Sequence, residues 1–424
     1  MMNEQETPDY RPSGSTRLPG KGLPAWQVIL LMLLTALLSG GAVLAVLALG
    51  VTRYSIADSR SGTDMSVLTK LMSDVQNYYY FSDDLPSSEK LLDGAAQGLV
   101  DSVGDPYADY YSVEEFESFR NQLAGNFKGI GVLISQSEKG TLINRVYEDS
   151  PAAKAGLLDN DVIIAVDGKS VVGMDVNTVS TMVGGEDGTS VALTVLRGDE
   201  TLTIPVIRGD VYVRRVSYEL LDNNIGYLHI DSFTGNAEAE FNDVVDILLK
   251  KGIKSLIIDL RNNPGGELET VVKICDRVLP ACTITTIEGK LANPANVYKS
   301  SADESLDLPI VVLTNGYSAS ASEIFAAAIQ DNKAGIIMGT NTFGKGIVQT
   351  SWQLMPGKGY IKLTTDVYKT PNGRMIHGIG VAPDVVVEQD PELANTDIFF
   401  IRRDMPERDL QVNAAVDYLI SIMK

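Results

Sequence analysis

Apolar residues change their spacing several times along the chain, and each change marks an element. Residues 1–25 are polar, rich in Pro, Gly and Ser, and without apolar period, the pattern of a short disordered tail. From Trp26 to Val51 no residue is charged; Val28 to Val51 alone is 24 residues, enough to cross a hydrocarbon core of about 30 Å. The apolar part of a cleaved signal is shorter, roughly 7–15 residues, so the segment reads as a retained transmembrane anchor. Ala42, Ala45 and Ala48 leave cleavage open. Arg11, Arg17 and Lys21 precede it, whereas Arg53 and Arg60 follow it beside Asp58 and Asp64. That bias puts the tail in the cytoplasm and the remainder of the chain outside the cell membrane.

Residues 52–65 read as a linker. Leu68, Leu71, Met72 and Val75 then recur at helical spacing, as do Leu91, Leu92, Ala95, Ala96 and Leu99 after the break at Pro86. Gly104-Asp105-Pro106-Tyr107 ends this pattern with a turn, and Val113 to Leu123 predicts one more helix, so 66–125 forms a small helical module. At Gly129 the character becomes β. The run Ser150-Pro151-Ala152-Ala153-Lys154-Ala155-Gly156 supplies an N-cap, a proline at the first helical position and a glycine stop. A turn at Asp167-Gly168, a helix over 176–183 and two further strands complete a β-rich module over 126–210.

From Asn224 strands and helices alternate, with helices predicted from Ala237 to Lys250 and from Glu267 to Val278. This order implies an α/β core, placed at 211–390, whose parallel strands are buried on both faces. In the segment 391–424, Leu410, Val412, Ala415, Val416, Leu419 and Ile420 form an amphipathic run. It is suited either to core packing or to a homo-oligomer contact.

Composition narrows the chemistry. The 424 residues carry a net charge of −20, which disfavours nucleic acid as a partner. Only two histidines are present, His229 and His377, and neither neighbours a nucleophile signature. Paired His/Cys spacings and HExxH are lacking, so neither a metal nor another cofactor is expected. Cys275 and Cys282 either pair in an oxidising compartment or remain two thiols; the spacing leaves both open.

The chemistry concentrates in Pro309–Leu354. A β-branched run, Ile310 to Leu313, stops at Thr314-Asn315-Gly316, and the alternating serines Ser318, Ser320 and Ser322 lead into an alanine-rich helix. A serine at a helix start has unpaired N–H groups nearby to receive an oxyanion. With histidine scarce, the available base is a lysine, active only when neutral and lowered by burial. Lys345, framed by glycines in Phe343-Gly344-Lys345-Gly346, is the candidate, although a solvated loop cation fits the same spacing. Upstream, a buried strand ends at Arg261-Asn262-Asn263-Pro264-Gly265-Gly266, where paired glycines leave N–H groups able to approach an anion.

Taken in order, the β-rich module with Ser-Pro-Ala-Ala-x-Ala-Gly, DLRNNPGG, SASASE and FGKG with glutamine four residues beyond the lysine resemble the carboxyl-terminal processing peptidases of family S41, or tail-specific proteases. The GDPYADYY and PNGR…GIGVAPD segments extend the resemblance over roughly 67–387. It implies a multidomain chain: a crotonase/Clp-protease-like α/β core, a PDZ domain, the small helical module and one N-terminal transmembrane helix. It implies Ser320 as nucleophile, Lys345 as general base and Gln349 as the residue orienting the lysine. Gly266 and Ala321 would form the oxyanion hole, with Gly265 a lesser contributor. In the PDZ module, Gly129, Ile130, Gly131 and Val132 would bind a substrate C-terminus, so the implied partners are polypeptides with accessible C-termini and, through the N-terminal helix, membrane lipid. One departure stands out: Gly184 lies where relatives often carry an arginine near the PDZ helix end. A catalytically silent, membrane-tethered PDZ adaptor is the alternative from another class, and a crotonase-type acyl-CoA enzyme fits the fold but not the other modules.

Overall fold

A computed structural model describes residues 64–123, 126–301, 305–393 and 396–423. The 1–25 tail, the apolar Trp26–Val51 segment and most of the linker lie outside the described residues. Among the described residues no helix is long and apolar enough to cross a membrane. The chain divides into two units after Ser87. In the first, the helix Ser66–Tyr78 carries no buried residue, and a single 3-10 turn, Ser82–Asp84, follows it.

The second unit begins with the helices Ser88–Asp101 and Val113–Leu123. Between them lies a strand that the turn-rich sequence did not announce, Asp109–Tyr111. A β domain follows in which Val132–Ser137, Gly140–Val146, Val162–Val166, Ser190–Arg197 and Glu200–Ile207 lie side by side, all antiparallel. Its short helix Pro151–Ala155 starts as its sequence dictates: the Ser150 hydroxyl accepts the Ala153 N–H at 3.1 Å, and Gly156 stops it at φ 86°. A two-stranded ribbon, Asn126–Gly129 against Gly209–Tyr212, closes the domain where the chain enters and leaves it.

The core sheet runs Val216–Leu221, Ile225–Ile230, Ser255–Asp259, Ile310–Thr314, Ile336–Gly339 and Val385–Val386 in spatial order. Its ladders are parallel except for the antiparallel first strand. Helices cover both faces, which is why these strands are continuously apolar rather than alternating. Leu256, Ile258, Ile310, Val312 and Ile337 pack with the helices Ala237–Lys250, Leu268–Val278 and Ala321–Asp331. Ile257, Val311, Leu313 and Met338 pack instead with Val412, Ala415 and Leu419 of Leu410–Ile422. For those three side chains the alternative is settled in favour of core.

A second sheet departs from the expected β/α alternation. Tyr360–Lys369 pairs antiparallel with Asp109–Tyr111, with Thr283–Gly289 and with Ile347–Gln353, and Asn296–Lys299 pairs with Thr283–Gly289. Its strands are brought together by hydrogen bonding across large sequence separations, which local periodicity does not register. Cys275 is buried and Cys282 partly so, and both are free thiols.

One buried ion cluster ties the core sheet to the last helix. Arg261, fully buried, donates to Asp259, to both Asp409 oxygens at 2.8 and 2.9 Å and to Gln411 at 3.0 Å. Burial alone would depress the guanidinium, but Asp259 and Asp409 outweigh it and hold its pKa well above the usual value. Removing one partner of such a cluster leaves uncompensated buried charge. Arg261→Ala is therefore expected to cost about 3–5 kcal/mol, read as a lower urea midpoint at unchanged slope.

Candidate active site

Two loops at the ends of neighbouring parallel strands build the site. Past Asp259, the Asn263 side chain donates to the Ile230 carbonyl at 2.8 Å and accepts the Gly265 N–H at 2.9 Å. Its carbonyl accepts the Ala319 N–H at 3.0 Å and the Ser322 hydroxyl at 2.9 Å. Asn262 and Asn315 bond reciprocally, at 3.0 and 2.7 Å. The glycine-rich turn is thereby laced to the turn of the three serines.

Of those serines, two have hydroxyls engaged in that lacing. Ser318, fully buried, donates to the Leu260 carbonyl at 2.7 Å, and Ser322, also fully buried, donates to Asn263. Ser320 is partly exposed and adopts φ 56°, ψ −112°, a sparsely populated backbone conformation for a residue with a side chain. The turn is tight from outside as well: a Cβ on Gly265 would lie 2.6 Å from the Ala319 carbonyl oxygen and 2.8 Å from the Ser320 Cβ. Only glycine lets the two loops approach so closely.

Donors around Ser320 sort by their partners. Gly265 N–H is held by Asn263, and the N–H groups of Ser320, Ser322, Glu323 and Ile324 are all bonded. Ala321, first residue of the Ala321–Asp331 helix, has a donor that the helix itself cannot satisfy. Gly266 sits at φ 150°, where a Cβ would collide with the Phe233 carbonyl at 2.4 Å. Ser320, Ala321, Gly266 and Gln349 line one cavity of about 540 Å³ together with Tyr298 and Tyr368. Gln349 follows a register shift in its strand, and its Nε2 is buried with no hydrogen-bond partner among the described residues.

Lys345 is half-buried and lines an adjoining cavity of about 650 Å³ with Ala319, Pro264, Tyr107, Tyr317 and Phe343. The two cavities flank the same loops, since Ala319 precedes Ser320 and Pro264 lies two residues before Gly266. The Lys345 ammonium lies 4.5 Å from the centre of the Tyr107 ring. Burial pushes its pKa down and Lys362 adds repulsion, partly opposed by Asp105 and Glu323. The structure thus joins Ser320, Ala321, Gly266 and Gln349 in one cavity and puts Lys345 beside it, over Tyr107.

Neither histidine enters this arrangement. His229 Nε2 is 3.2 Å from the Arg261 carbonyl oxygen, and His377 is exposed. Sequence reasoning passed over Tyr107, Glu323 and Tyr368. Glu323 had a signal, the Ser-x-x-Glu spacing of a helix capping box; a tyrosine in an alternating strand has none.

In the β domain the loop Gly129–Val132 is anchored through its carbonyls. Ile130 accepts the Ala152 N–H at 2.7 Å and Gly131 accepts the Tyr147 N–H at 3.1 Å. Gly131 is at φ 79°, and a Cβ there would meet Ser150 at 2.4 Å. At the end of the Val176–Val183 helix, where Gly184 stands, the guanidinium is that of Arg208. It donates to the Val183 and Met182 carbonyls at 2.9 and 3.1 Å, a helix C-cap from a neighbouring strand end. The domain also touches the Ile398–Asp404 helix: Arg145 lies 3.8 Å from the Phe399 ring centre, and Arg403 bonds Asp159 at 2.7 Å. Thr396 and Asp397, just before that helix, line the Lys345 cavity.

Comparison with known proteins bears on this geometry. The profile of peptidase family S41 matches residues 224–387, and that of the PDZ domain matches 142–197. The chain is 34% identical over 365 residues to a "probable CtpA-like serine protease" of Staphylococcus haemolyticus, covering 85% of this chain and 72% of that one. It is 35% identical over 368 residues to the carboxy-terminal processing protease CtpA of Bacillus subtilis, covering 85% and 77%. A solved structure carried under the S41 protease name, from Bacteroides fragilis NCTC 9343, shares the fold at 16% identity with a TM-score of 0.56, covering 83% of this chain and 97% of that one.

Proposed function

We propose that this chain, which belongs to peptidase family S41 as a homologue of the carboxy-terminal processing proteases, is a membrane-anchored, extracytoplasmic serine endopeptidase using a Ser/Lys mechanism. The observation that carries the mechanism is the sorting of three serines. Ser318 and Ser322 hold loops together through their hydroxyls, whereas Ser320 sits at a strained helix start in a cavity shared with Gly266, Ala321 and Gln349.

In this reading Ser320 Oγ attacks the scissile carbonyl and its proton passes to neutral Lys345 Nζ. The carbonyl oxygen becomes the oxyanion and accepts from the Gly266 and Ala321 N–H groups. Collapse breaks the C–N bond, the amine leaves with the proton from Lys345, and an acyl-enzyme remains. Water, deprotonated by the same lysine, attacks the ester; the acid is released and Ser320 regains its proton. Gln349, whose Nε2 has no partner among the described residues, orients the lysine through its side-chain amide. No cofactor enters the scheme.

The PDZ domain selects the substrate: the Gly129–Val132 loop presents N–H groups to a polypeptide's terminal carboxylate while the chain adds as a strand. The uncharged Trp26–Val51 segment supports anchoring in the cell membrane. A serine-directed fluorophosphonate probe and an unfolded reporter, with its C-terminus free or amidated, test this reading together. The expected result is labelling of the peptidase and a fall of about tenfold or more in kcat/KM on amidation, the ~1.5–3 kcal/mol of charge-assisted hydrogen bonds. An unlabelled, inert protein that still binds C-termini would instead indicate the silent adaptor.

A further inference from the structure

Glu323 is fully buried at the third position of the Ala321–Asp331 helix, and everything around its carboxylate donates to it. Oε2 accepts the N–H of Ser320 and the N–H of Lys345, both at 2.8 Å. Oε1 accepts the Gly344 N–H at 2.8 Å and the Thr342 hydroxyl at 2.6 Å, and that hydroxyl oxygen in turn accepts the Val381 N–H at 2.7 Å. One carboxylate oxygen is therefore shared by the backbones of two residues 25 positions apart in sequence.

Tyr368 repeats the connection from the carbonyl side. Its phenol oxygen, on the strand Tyr360–Lys369, is 2.6 Å from the Lys345 carbonyl oxygen, 3.0 Å from that of Ser320 and 3.5 Å from Glu323 Oε2, so its one O–H donates chiefly to Lys345 and is shared with Ser320. The residue is almost completely buried, and burial together with the Glu323 charge keeps the phenol protonated and therefore a donor. Its own N–H bonds the Gly346 carbonyl at 3.2 Å, so the strand is fixed to the lysine loop at two points.

We propose that Glu323 and Tyr368 form a two-sided clamp on the peptide units of Ser320 and Lys345, one through the N–H groups and one through the carbonyls, that sets the spacing of nucleophile and base. They act as positioning residues, since neither donates to or accepts from the reacting atoms. The inference rests on the Ser320/Lys345 mechanism proposed above. Glutamine in place of Glu323 offers one acceptor where two are used, so its NH2 must displace either the Ser320 and Lys345 N–H groups or the Gly344 N–H, the Thr342 hydroxyl being able to turn and accept. Phenylalanine in place of Tyr368 removes the carbonyl tie and keeps the ring.

Charge separates the two. Lys345 is surrounded by Glu323, by Asp105 and the Tyr107 ring on the segment before the Asp109–Tyr111 strand, by Lys362 and Tyr368 on the long strand, and by Asp397 across the cavity. His377, exposed, packs against Gly346. Removing the Glu323 charge lowers the lysine pKa, so more of the base is neutral at a given acidic pH. Tyr368→Phe leaves every charge in place.

The test measures kcat and KM of the full chain from pH 5 to 10 on an unfolded reporter protein with a free C-terminus. It compares Glu323→Gln, Tyr368→Phe, Ser320→Ala and Lys345→Ala. Both clamp variants are expected to lose about 10²-fold in kcat with KM within about twofold. The acid limb should move to lower pH in Glu323→Gln and stay in place in Tyr368→Phe. If both variants keep kcat within about threefold while Ser320→Ala and Lys345→Ala are dead, the clamp is wrong and the dyad stands. A kcat loss in Glu323→Gln alone, with Tyr368→Phe keeping the unmodified rate, also overturns it, since the carbonyl side then sets nothing. Wild-type rates in Lys345→Ala would bring down the dyad reading and the clamp with it. Should Glu323→Gln not fold, Tyr368→Phe decides alone: lower kcat at constant KM supports the clamp, and unchanged kcat refutes it.

Discussion

Ser320→Ala is expected to lower the turnover of an unfolded protein substrate by about 10⁴–10⁶-fold, the loss seen when a catalytic serine is deleted. Labelling by a serine-directed probe should vanish with it. Ser318→Ala and Ser322→Ala provide the contrast. Each removes a buried hydroxyl that donates to a carbonyl of the neighbouring loop, so each should cost about 1–3 kcal/mol of stability while hydrolysis persists. The three serines alternate in sequence and differ in partner, and that difference, read from hydrogen bonds, is what the series measures. Full activity in Ser320→Ala would end the assignment.

The second large effect concerns the base. Lys345→Ala and Lys345→Arg are both expected to be inactive by about 10⁴-fold or more. A guanidinium fills the space but does not release its proton at working pH. In the unmodified protein the rate should rise with pH through the lysine pKa and fall about tenfold per unit below it. The direction follows from the environment: burial of Lys345, reinforced by Lys362, favours the neutral form, so the limb lies below the ordinary lysine range. A rate constant from pH 5 to 9 would assign the proton to some other group. Lys345 also has an aromatic neighbour in Tyr107, and a cation on a ring face gains about 0.5–2 kcal/mol. That contact favours the charged form and tempers the effect of burial.

Much of this was legible in the sequence because it is local. Ser150-Pro151 and Gly156 state a helix start and stop, and the structure contains both. Val113–Leu123, Val176–Val183 and Ala237–Lys250 follow their apolar period to the residue. The uninterrupted apolar runs of the core strands expressed burial on two faces before either face was known. What stayed hidden is long-range. Tyr110 pairs with Ile361 across some 250 residues, and nothing in GDPYADYY distinguishes an edge strand from the end of a turn. Glu323 carries a capping signal that accounts for its bond to Ser320, but its reach to Thr342, Gly344 and Lys345 depends on where a later loop lands. The serines alternate visibly, yet which of them stays out of the loop lacing is decided by Leu260 and Asn263, carbonyls from another strand end.

Besides Asp259, two residues before it, the acceptors of Arg261 lie 148 and 150 residues further along the chain, at Asp409 and Gln411. During synthesis the strand and turn leading to Gly266 emerge long before those groups exist, and until then Asp259 is the acceptor of this cluster available to the guanidinium. The guanidinium is therefore fully bonded only once the segment through Gln411 has been made and packed. The turn that carries Gly266 is thus tied to the helix Leu410–Ile422, and its full set of buried bonds is completed late in the making of the molecule.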